Sequence, residues 1–189
     1  MGKLIYSMSV SLDGFAAAPD GSLDWVRVDE ELHAAFNEEG RQVGTSLYGR
    51  RMYELMAGYW PAAAEDPAST PVELEWARIW LTTPKVVFSR TLVDVGWNSR
   101  LERGDAVAEV ARLKADGPDM DVGGPTLAGT LLLAGLVDEL RLNVNPVVLG
   151  AGLPFFPPGM GPLEFRLQAT RTFGSGVVQL RYEAVRPTV

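Results

Sequence analysis

Short segments rich in β-branched and aromatic residues recur along the chain, and helix-like segments separate most of them. This alternation is typical of a parallel sheet with helical crossovers. The predicted strands are residues 3–10, 43–48, 85–89, 120–122 and 140–145. Near the C-terminus, two alternating segments, 165–173 and 177–185, flank Gly174-Ser175-Gly176 and predict an antiparallel hairpin. The chain is therefore predicted to be α/β, with a mostly parallel central sheet, an antiparallel C-terminal hairpin and helices on both faces.

Several helix boundaries are visible in the sequence. Asp29 and Asp105 each precede a segment with apolar residues at helical spacing, so both are predicted N-caps. Thr70-Pro71-Val72-Glu73 combines a capping box with proline at the first helical position, which predicts a helix start. Residues 50–59 are predicted to be helical, and Gly135 is predicted to follow the end of a helix that begins near Thr126.

Nothing in the sequence divides the chain, which contains no internal repeat, low-complexity tract or linker. At 189 residues one domain is the expectation, so residues 1–189 are predicted to form a single domain. The N-terminal segment reaches Asp13 too soon for a secretory signal, and the most apolar stretch, 127–137, is far shorter than a bilayer span. We therefore expect a cytoplasmic protein without membrane contact.

The composition excludes several kinds of chemistry. The chain has no Cys and a single His, His33, so disulfides, thiol nucleophiles, zinc–thiolate sites and His-rich metal sites cannot form. We expect no metal centre, and acid–base chemistry would use His33, a carboxylate, a Tyr or a bound water. The net charge of −7 at pH 7 disfavours nucleic acid as a partner, because an acidic surface repels phosphate backbones.

Three predicted strands end in residues that suit anions. Tyr48-Gly49-Arg50-Arg51 places two guanidiniums at a helix start, where the helix dipole also favours negative charge. Phe88-Ser89-Arg90 combines a hydroxyl with a guanidinium. Val122-Gly123-Gly124-Pro125-Thr126 lets a ligand approach the backbone at a second helix start, although it is neither the dinucleotide fingerprint nor a Walker loop. Taken alone, each segment is better explained as an ordinary turn or an exposed helix start.

Taken together, the three segments are more informative. In open α/β sheets ligands bind beyond the carboxyl ends of the strands, where these segments would meet. They would form a clamp for a 2′-phosphate beside a cradle for a pyrophosphate. Since each charge-assisted contact contributes about 1.5–3 kcal/mol, two such contacts are enough to favour NADPH over NADH. The sequence therefore predicts NADPH as the cofactor.

The order of these motifs resembles the dihydrofolate reductase-like superfamily. It is most similar to the reductase domain of the bifunctional riboflavin-pathway deaminase–reductase and to its stand-alone relatives. The similarity spans nearly the whole chain, through segments 9–14, 49–51, 88–89, 122–129, 136–140 and 146–150. The most specific segments are Gly123-Gly124-Pro125-Thr126-Leu127 and Val137-Asp138-Glu139-Leu140. We expect no deaminase half here, since its zinc site needs Cys.

The resemblance implies NADPH-dependent hydride transfer to a small heterocycle (pyrimidine- or pterin-like) or a carbonyl compound. The activity would resemble that of 5-amino-6-(5-phosphoribosylamino)uracil reductase of riboflavin biosynthesis. The cofactor-binding residues it implies are Ser9, Ala16, Gly49, Arg50, Arg51, Ser89, Arg90, Gly123, Gly124, Pro125 and Thr126. The arginines and Ser89 would hold the 2′-phosphate, residues 123–126 would line the pyrophosphate, and the backbone of Ser9 and Ala16 would meet the nicotinamide carboxamide. The resemblance also implies a cis peptide bond at Gly123–Gly124 and a homodimer.

Three further residues are candidates for contact with the small-molecule substrate. Asp13 is a candidate proton donor, although capping of its own Asp-Gly turn explains it equally well. His33 is a second candidate donor, because its ordinary pKa lies near working pH, although such a histidine is more often a helix-surface residue. Trp25 could stack on a planar substrate ring or simply pack into the core.

Other functions remain open at this point. Dihydrofolate reductases carry a pterin-binding carboxylate in the first helix, whereas the comparable stretch here reads Glu31-Leu32-His33-Ala34-Ala35-Phe36. A true dihydrofolate reductase is therefore an alternative that fits less well than a riboflavin-type reductase. A second alternative is a non-catalytic NADPH-binding or ligand-sensing protein of the same fold. A third, a phosphate-ligand enzyme of another α/β type, is disfavoured by the acidic charge and the missing Walker loop.

Overall fold

A computed structural model describes residues 1–185 of the chain. The strands are β1 (Leu4–Ser11), β2 (Phe15–Ala17), β3 (Thr45–Gly49), β4 (Lys85–Phe88), β5 (Ser99–Glu102), β6 (Met120–Gly123), β7 (Glu139–Asn145), β8 (Leu153–Pro154), β9 (Phe165–Thr172) and β10 (Val178–Ala184). The helices are α1 (Glu30–Gln42), α2 (Arg50–Ala63), α3 (Pro71–Thr82), α4 (Ala106–Asp116) and α5 (Pro125–Leu133).

Eight of the strands form one sheet in the order β5-β4-β3-β6-β1-β7-β10-β9. The pairs from β5 through β7 are all parallel, while β10 runs antiparallel to both β7 and β9. β2 and β8 form a separate small antiparallel pair. The predicted α/β architecture, with its parallel centre and antiparallel C-terminal hairpin, is confirmed.

The helices cover both faces of the sheet, as predicted. On one face α4 and α5 contribute Val110, Leu131 and Leu132 to the main core, which also contains Leu4 and Tyr6 of β1. On the other face α2 and α3 pack over β3 and β4 through a cluster of aromatic and Met side chains. α1 lies beside α3, and Glu39 on it makes an ion pair with Arg141 of β7. Within residues 1–185 no helix has the length and apolar character needed to cross a membrane.

The predicted caps are present. Asp29 accepts a hydrogen bond from Leu32 N, and Asp105 accepts from Val107 N and Ala108 N. Thr70 and Glu73 form the complete capping box of α3. Gly135 has a φ of 68°, a left-handed conformation that favours glycine directly after a helix.

Two elements differ from the predicted bounds by more than one residue. β3 begins at Thr45 rather than at residue 43, because Val43 is the C-cap of α1. α2 continues past Tyr59 to Ala63. The prediction omitted β5, β2 and β8, which are short, and β5 carries the polar sequence Ser99-Arg100-Leu101-Glu102 at the edge of the sheet.

Candidate active site

The three strand ends singled out in the sequence lie side by side at one edge of the sheet. Gly49 at the end of β3 is the register partner of Phe88 in β4, directly before Ser89. On the other side of β3, Tyr48 is the partner of Gly123 in β6. Phe88 is also the partner of Glu102 in β5, so four adjacent strands end together. The structure thus brings together the predicted segments that start at Gly49, Ser89 and Gly123.

The Gly123-Gly124 turn is poorly suited to residues with side chains. A Cβ on Gly123 would lie 2.8 Å from Tyr48 Cε1, and one on Gly124 would lie 3.3 Å from Met52 Cβ. Gly124 has a φ of +95°, a conformation that L side chains rarely adopt. No cis peptide bond occurs between residues 1 and 185, so the prediction of a cis bond at Gly123–Gly124 is wrong. The positive φ of Gly124 turns the chain with a trans bond instead.

Two helices begin at this edge with free backbone donors. α2 and α5 have Gly49 and Gly124 as N-caps, and neither end has a side-chain cap or an acidic residue in its first turn. By contrast α1, α3 and α4 each have a side-chain cap and an acidic first turn. The first N–H groups of a helix are unsatisfied within the helix, and the dipole there favours negative charge. The ends of α2 and α5 are therefore suited to an anion, and Pro125 and the exposed Thr126 lie in the first turn of α5.

Arginines surround the same edge. Arg50 lies 3.6 Å from Glu54, a long contact between exposed groups, and Arg51 and Arg90 are exposed without an ion pair in the described part of the chain. A fourth arginine, Arg103, directly follows β5 and was missed by the sequence analysis. Because the net charge of the chain is −7, this edge is a local reversal of the overall charge.

Ser89 shapes the loop that follows β4. Its Oγ accepts hydrogen bonds from Thr91 N at 3.2 Å and Leu92 N at 3.1 Å, and its own N–H donates to Glu102 O at 3.0 Å. The acceptor capacity of Ser89 is thus used within the loop, and its Oγ also shares a 3.4 Å hydrogen bond with Thr91 Oγ1 in which either hydroxyl can donate.

Next to this edge the pairing between β1 and β6 stops short, and we call the unpaired region between the two strands the crevice. The two strands pair only from Leu4–Met120 to Tyr6–Val122, whereas β7 pairs with β1 as far as Ser11. Beyond Tyr6 the β6-facing side of the β1 backbone is therefore not paired to β6. Ser9 lies in this half-exposed section of β1, and Ala16 is buried nearby on β2. Contact of Ser9 and Ala16 with the nicotinamide stays a prediction.

Asp13 acts as a clamp between two loops. Its carboxylate accepts from Ser11 Oγ at 2.7 Å, from Leu149 N at 3.1 Å and from Gly150 N at 2.7 Å. These hydrogen bonds, that of Ser11 first, hold the pKa of the carboxyl below its ordinary value. Asp13 is thus ionised at neutral pH with both oxygens engaged, and its role as proton donor stays a prediction.

His33 lies in the helical layer rather than at the strand ends. Its ring centroid is 6.0 Å from that of Trp60 on α2, and its buried Nδ1 has no hydrogen-bond partner among residues 1–185. Burial lowers the pKa of His33, and the charges of Glu73 and Glu75 oppose this by less. His33 is thus mainly neutral at pH 7, and its catalytic role also stays a prediction.

Trp25 lies in the loop that leads to α1. Its Nε1 donates to Ser22 O at 3.2 Å, and the neighbouring Arg27 N donates to Asn145 Oδ1 at the end of β7. The loop therefore lies at the same edge of the sheet as the crevice. Trp25 is half-buried, which is compatible with a substrate wall and with packing.

A buried polar pair lies deeper in the same layer. Asp121 on β6 has a buried Oδ1 without a hydrogen-bond partner in the described residues, and burial raises its pKa to about 6. Lys85 on β4 is 2% exposed, and its Nζ donates to Thr83 O at 2.7 Å and to Trp80 O. Burial lowers the pKa of Lys85 to about 8. Since Tyr48 and Gly123 lie between this pair and the strand ends in the sheet register, we assign it no contact with a ligand.

Other candidate sites lie elsewhere. A cavity of about 400 Å³ lies at the amino ends of β3 and β4 near Trp97, and one of about 340 Å³ lies between α1 and the β9–β10 hairpin. Neither contains a predicted site residue. Among residues 1–185 no group of three His, Asp or Glu side chains could hold a metal ion.

The strand order and the anion-favouring edge define a mixed α/β protein with a candidate anion site at the carboxyl ends of its parallel strands. Residues 2–179 match the RibD C-terminal domain family, and the chain belongs to that family. It is 36% identical over 183 residues to the uncharacterized protein YyaP of Bacillus subtilis (strain 168), and the match covers 95% of this chain and 94% of YyaP.

Two solved structures show the same fold. A candidate riboflavin biosynthesis protein from Shewanella sp. PV-4 matches with a TM-score of 0.77 at 22% identity, over 97% of this chain and 99% of that one. The diaminohydroxyphosphoribosylaminopyrimidine deaminase/5-amino-6-(5-phosphoribosylamino)uracil reductase of Thermotoga maritima matches with a TM-score of 0.66 at 15% identity. The latter match covers 97% of this chain and 57% of the Thermotoga protein.

Proposed function

We propose that this protein is an NADPH-dependent reductase that transfers hydride to a small heterocyclic (pyrimidine- or pterin-like) or carbonyl substrate. Membership of the RibD C-terminal domain family supports a reductase of the riboflavin-biosynthesis type. The Thermotoga protein of the same fold is named for reduction of an aminouracil, which makes related pyrimidines the first substrates to test.

The observation that carries the proposal is the convergence at the ends of β3, β4 and β6. Two uncapped helix N-termini and exposed guanidiniums occur together at one edge of an otherwise acidic protein. A dinucleotide with a pyrophosphate and a separate 2′-phosphate has the charge distribution that this arrangement favours.

The residues present fit NADPH. Arg50, Arg51, Arg90 and the Ser89 hydroxyl would hold the 2′-phosphate. Residues 123–126 would line the pyrophosphate, and the N–H of Thr126 is the first donor after Gly124, because Pro125 has none. The absence of Cβ atoms at Gly123 and Gly124 keeps this backbone accessible. A side chain at Gly123 would also collide with Tyr48, and one at Gly124 would make a tight contact with Met52. When bound, NADPH supplies the hydride, and the chain's own task is to orient cofactor and substrate.

The substrate would lie in the crevice beside β1. Ser7 and Ser9 lie on the half-exposed part of that strand, and Trp25 would form a wall for a planar ring. Glu31, in the stretch comparable to the one that carries the pterin-binding carboxylate of dihydrofolate reductases, forms a 3.0 Å ion pair with Arg171 of β9. This geometry supports the riboflavin-type alternative over a true dihydrofolate reductase.

The proton that accompanies the hydride would come from solvent. Asp13 is held ionised by three hydrogen bonds, and His33 is mainly neutral, so neither carries a readily donated proton at neutral pH. The same observation favours one second candidate, a protein that binds NADPH without catalysis.

Binding and turnover together test the proposal. The purified protein is titrated with NADPH and NADH, and the fluorescence of the reduced nicotinamide is followed. Saturable NADPH binding at micromolar concentration, tighter than that of NADH, is expected, and its absence would overturn the proposal. NADPH oxidation is then measured across pyrimidines, pterins and carbonyl compounds. Binding without oxidation of NADPH by any substrate would favour the non-catalytic candidate.

We also propose that the protein forms a homodimer. The outer strand β9 has no partner on its free edge in the described chain, and Leu167 on it is 50% exposed. Phe156 and Leu163 in the preceding loop are also exposed. Light scattering after size exclusion would give twice the monomer mass, and a monomer mass at high protein concentration would contradict the proposal.

A further inference from the structure

Arg103 joins two loops at the edge where the proposed 2′-phosphate site lies. Its Nη1 donates to Arg90 O at 3.1 Å, and its Nη2 donates to Leu92 O at 2.7 Å. One planar guanidinium thus bridges two carbonyls of the loop that follows β4, from a position directly after β5. The planar guanidinium directs a separate N–H donor at each of the two carbonyls.

The loop that Arg103 holds is the one that carries the predicted anion-binding residues. Inside it, Ser89 Oγ accepts from Thr91 N and Leu92 N, which closes a tight turn. Outside it, the two carbonyls of Arg90 and Leu92 are satisfied by Arg103. Carbonyl oxygens carry partial negative charge, so covering them with a cation removes a repulsion that an incoming phosphate would meet.

Arg103 also keeps its positive charge available. It forms no ion pair in residues 1–185, because the carboxylate of the adjacent Glu102 contacts other groups. Glu102 Oε2 is 3.1 Å from Arg100, and Glu102 Oε1 accepts from Gly104 N at 2.8 Å. The guanidinium therefore adds to the field of Arg50, Arg51 and Arg90 at the ends of β3 and β4.

We propose that Arg103 is a positioning residue for recognition of the 2′-phosphate of NADPH: it fixes the loop of Ser89 and Arg90 in the shape that accepts the anion. This inference rests on the proposed function. The preference for NADPH over NADH then depends in part on Arg103, in the loop that follows β5, and Arg103 need not touch the phosphate.

The test compares Arg103→Gln and Arg103→Lys with the wild type in titrations with NADPH and NADH. Arg103→Gln removes the fork and the charge, while Arg103→Lys keeps the charge and removes the rigid planar fork that contacts the two carbonyls. Both are expected to weaken NADPH binding roughly tenfold and to leave NADH binding unchanged. Arg166→Gln is the matched control, because Arg166 is an exposed arginine with one ion pair on β9 at the far edge of the sheet.

Each other outcome overturns the inference in a recognisable way. Unchanged NADPH binding in Arg103→Gln, with wild-type binding intact, would reject Arg103 while leaving the proposed function standing. Normal NADPH binding in Arg103→Lys, together with weaker binding in Arg103→Gln, would mean that only the charge of Arg103 matters and not its position between the two carbonyls. Equal losses for NADPH and NADH, together with a lower Tm, would indicate a purely structural residue. A wild type that binds neither dinucleotide would overturn the proposed function and this inference together.

Discussion

The ring of Tyr48 on β3 occupies the space in which a side chain at Gly123 would lie, with Cε1 2.8 Å from the position of a Cβ. The two residues are register partners on adjacent parallel strands. The aromatic side chain thus takes the volume beside the strand end, and glycine leaves the backbone open. The buried ring of Tyr48 and the glycine at position 123 in the proposed cofactor site therefore constrain each other's size.

Gly124→Ala tests the turn itself. The positive φ and the contact with Met52 predict a loss of roughly 1–3 kcal/mol in the free energy of unfolding and weaker NADPH binding. Urea unfolding measures the first and fluorescence titration the second. Gly58→Ala is the control. Gly58 lies inside α2, and no neighbouring atom lies within 4 Å of the position of a Cβ. This variant should gain about 0.5–1 kcal/mol in the free energy of unfolding. A Gly124→Ala protein as stable as the wild type would contradict the assignment.

Exchange of Arg50 and Arg51 for Ala tests the 2′-phosphate clamp. Each charge-assisted hydrogen bond contributes about 1.5–3 kcal/mol, so NADPH affinity should fall at least tenfold for each arginine that is replaced. NADH has no 2′-phosphate, and its affinity should change little. Titration of both dinucleotides against both variants measures the difference, with Arg166→Ala as a control for the removal of a surface charge. Equal decreases for the two cofactors would argue against the clamp.

Asp13→Asn tests the clamp between residue 13 and residues 149–150. The folded pKa is lowered, so the carboxylate contributes stability above its unfolded pKa of about 3.9, and this is lost as the pH falls through the folded value. The variant should be less stable than the wild type at pH 7, and the difference should shrink in acid. Urea unfolding across this range measures it. Asp24 has an exposed carboxylate without a hydrogen bond in the described chain, so Asp24→Asn should show no such difference. A stability difference between Asp13→Asn and the wild type that stays constant at all pH values would argue against the ionic clamp.

Asp121→Asn tests the buried carboxyl. Its folded pKa of about 6 lies above the unfolded value of about 3.9, so folding binds a proton and wild-type stability should fall as the pH rises from about 4 to about 6. The amide cannot ionise, so the variant should lack this decrease and be the more stable of the two at pH 7. Thermal unfolding at a series of pH values compares the two proteins. If the decrease in stability persists in Asp121→Asn, the titration of another group causes it.

The sequence was most informative where the signal is local. Glycines and arginines directly after predicted strands located the edge of the site, because a parallel sheet brings such ends together without further information. The caps at Asp29, Thr70 and Asp105 were visible for the same reason, since each acts within three residues.

Long-range relationships were not visible. Leu149 and Gly150 donate to Asp13 across 136 and 137 residues, so the sequence could not distinguish a clamp from a proton donor. Arg103 was missed because β5 is a short polar edge strand without an apolar pattern, and the value of that arginine depends on where the strand ends. The half-buried position of His33 against Trp60 follows only from the packing of α1 on the neighbouring helices.

The helix ends at Gly49 and Gly124 offer main-chain groups, while the arginines nearby are side chains. Only substitution by proline removes a backbone N–H. Pyrophosphate binding by these main-chain groups would therefore tolerate most other substitutions. The choice between the phosphorylated and the unphosphorylated dinucleotide would instead follow a few replaceable arginines. In that case relatives of this protein could change their source of reducing equivalents through a handful of exchanges at the exits of β3, β4 and β5, with the backbone architecture untouched.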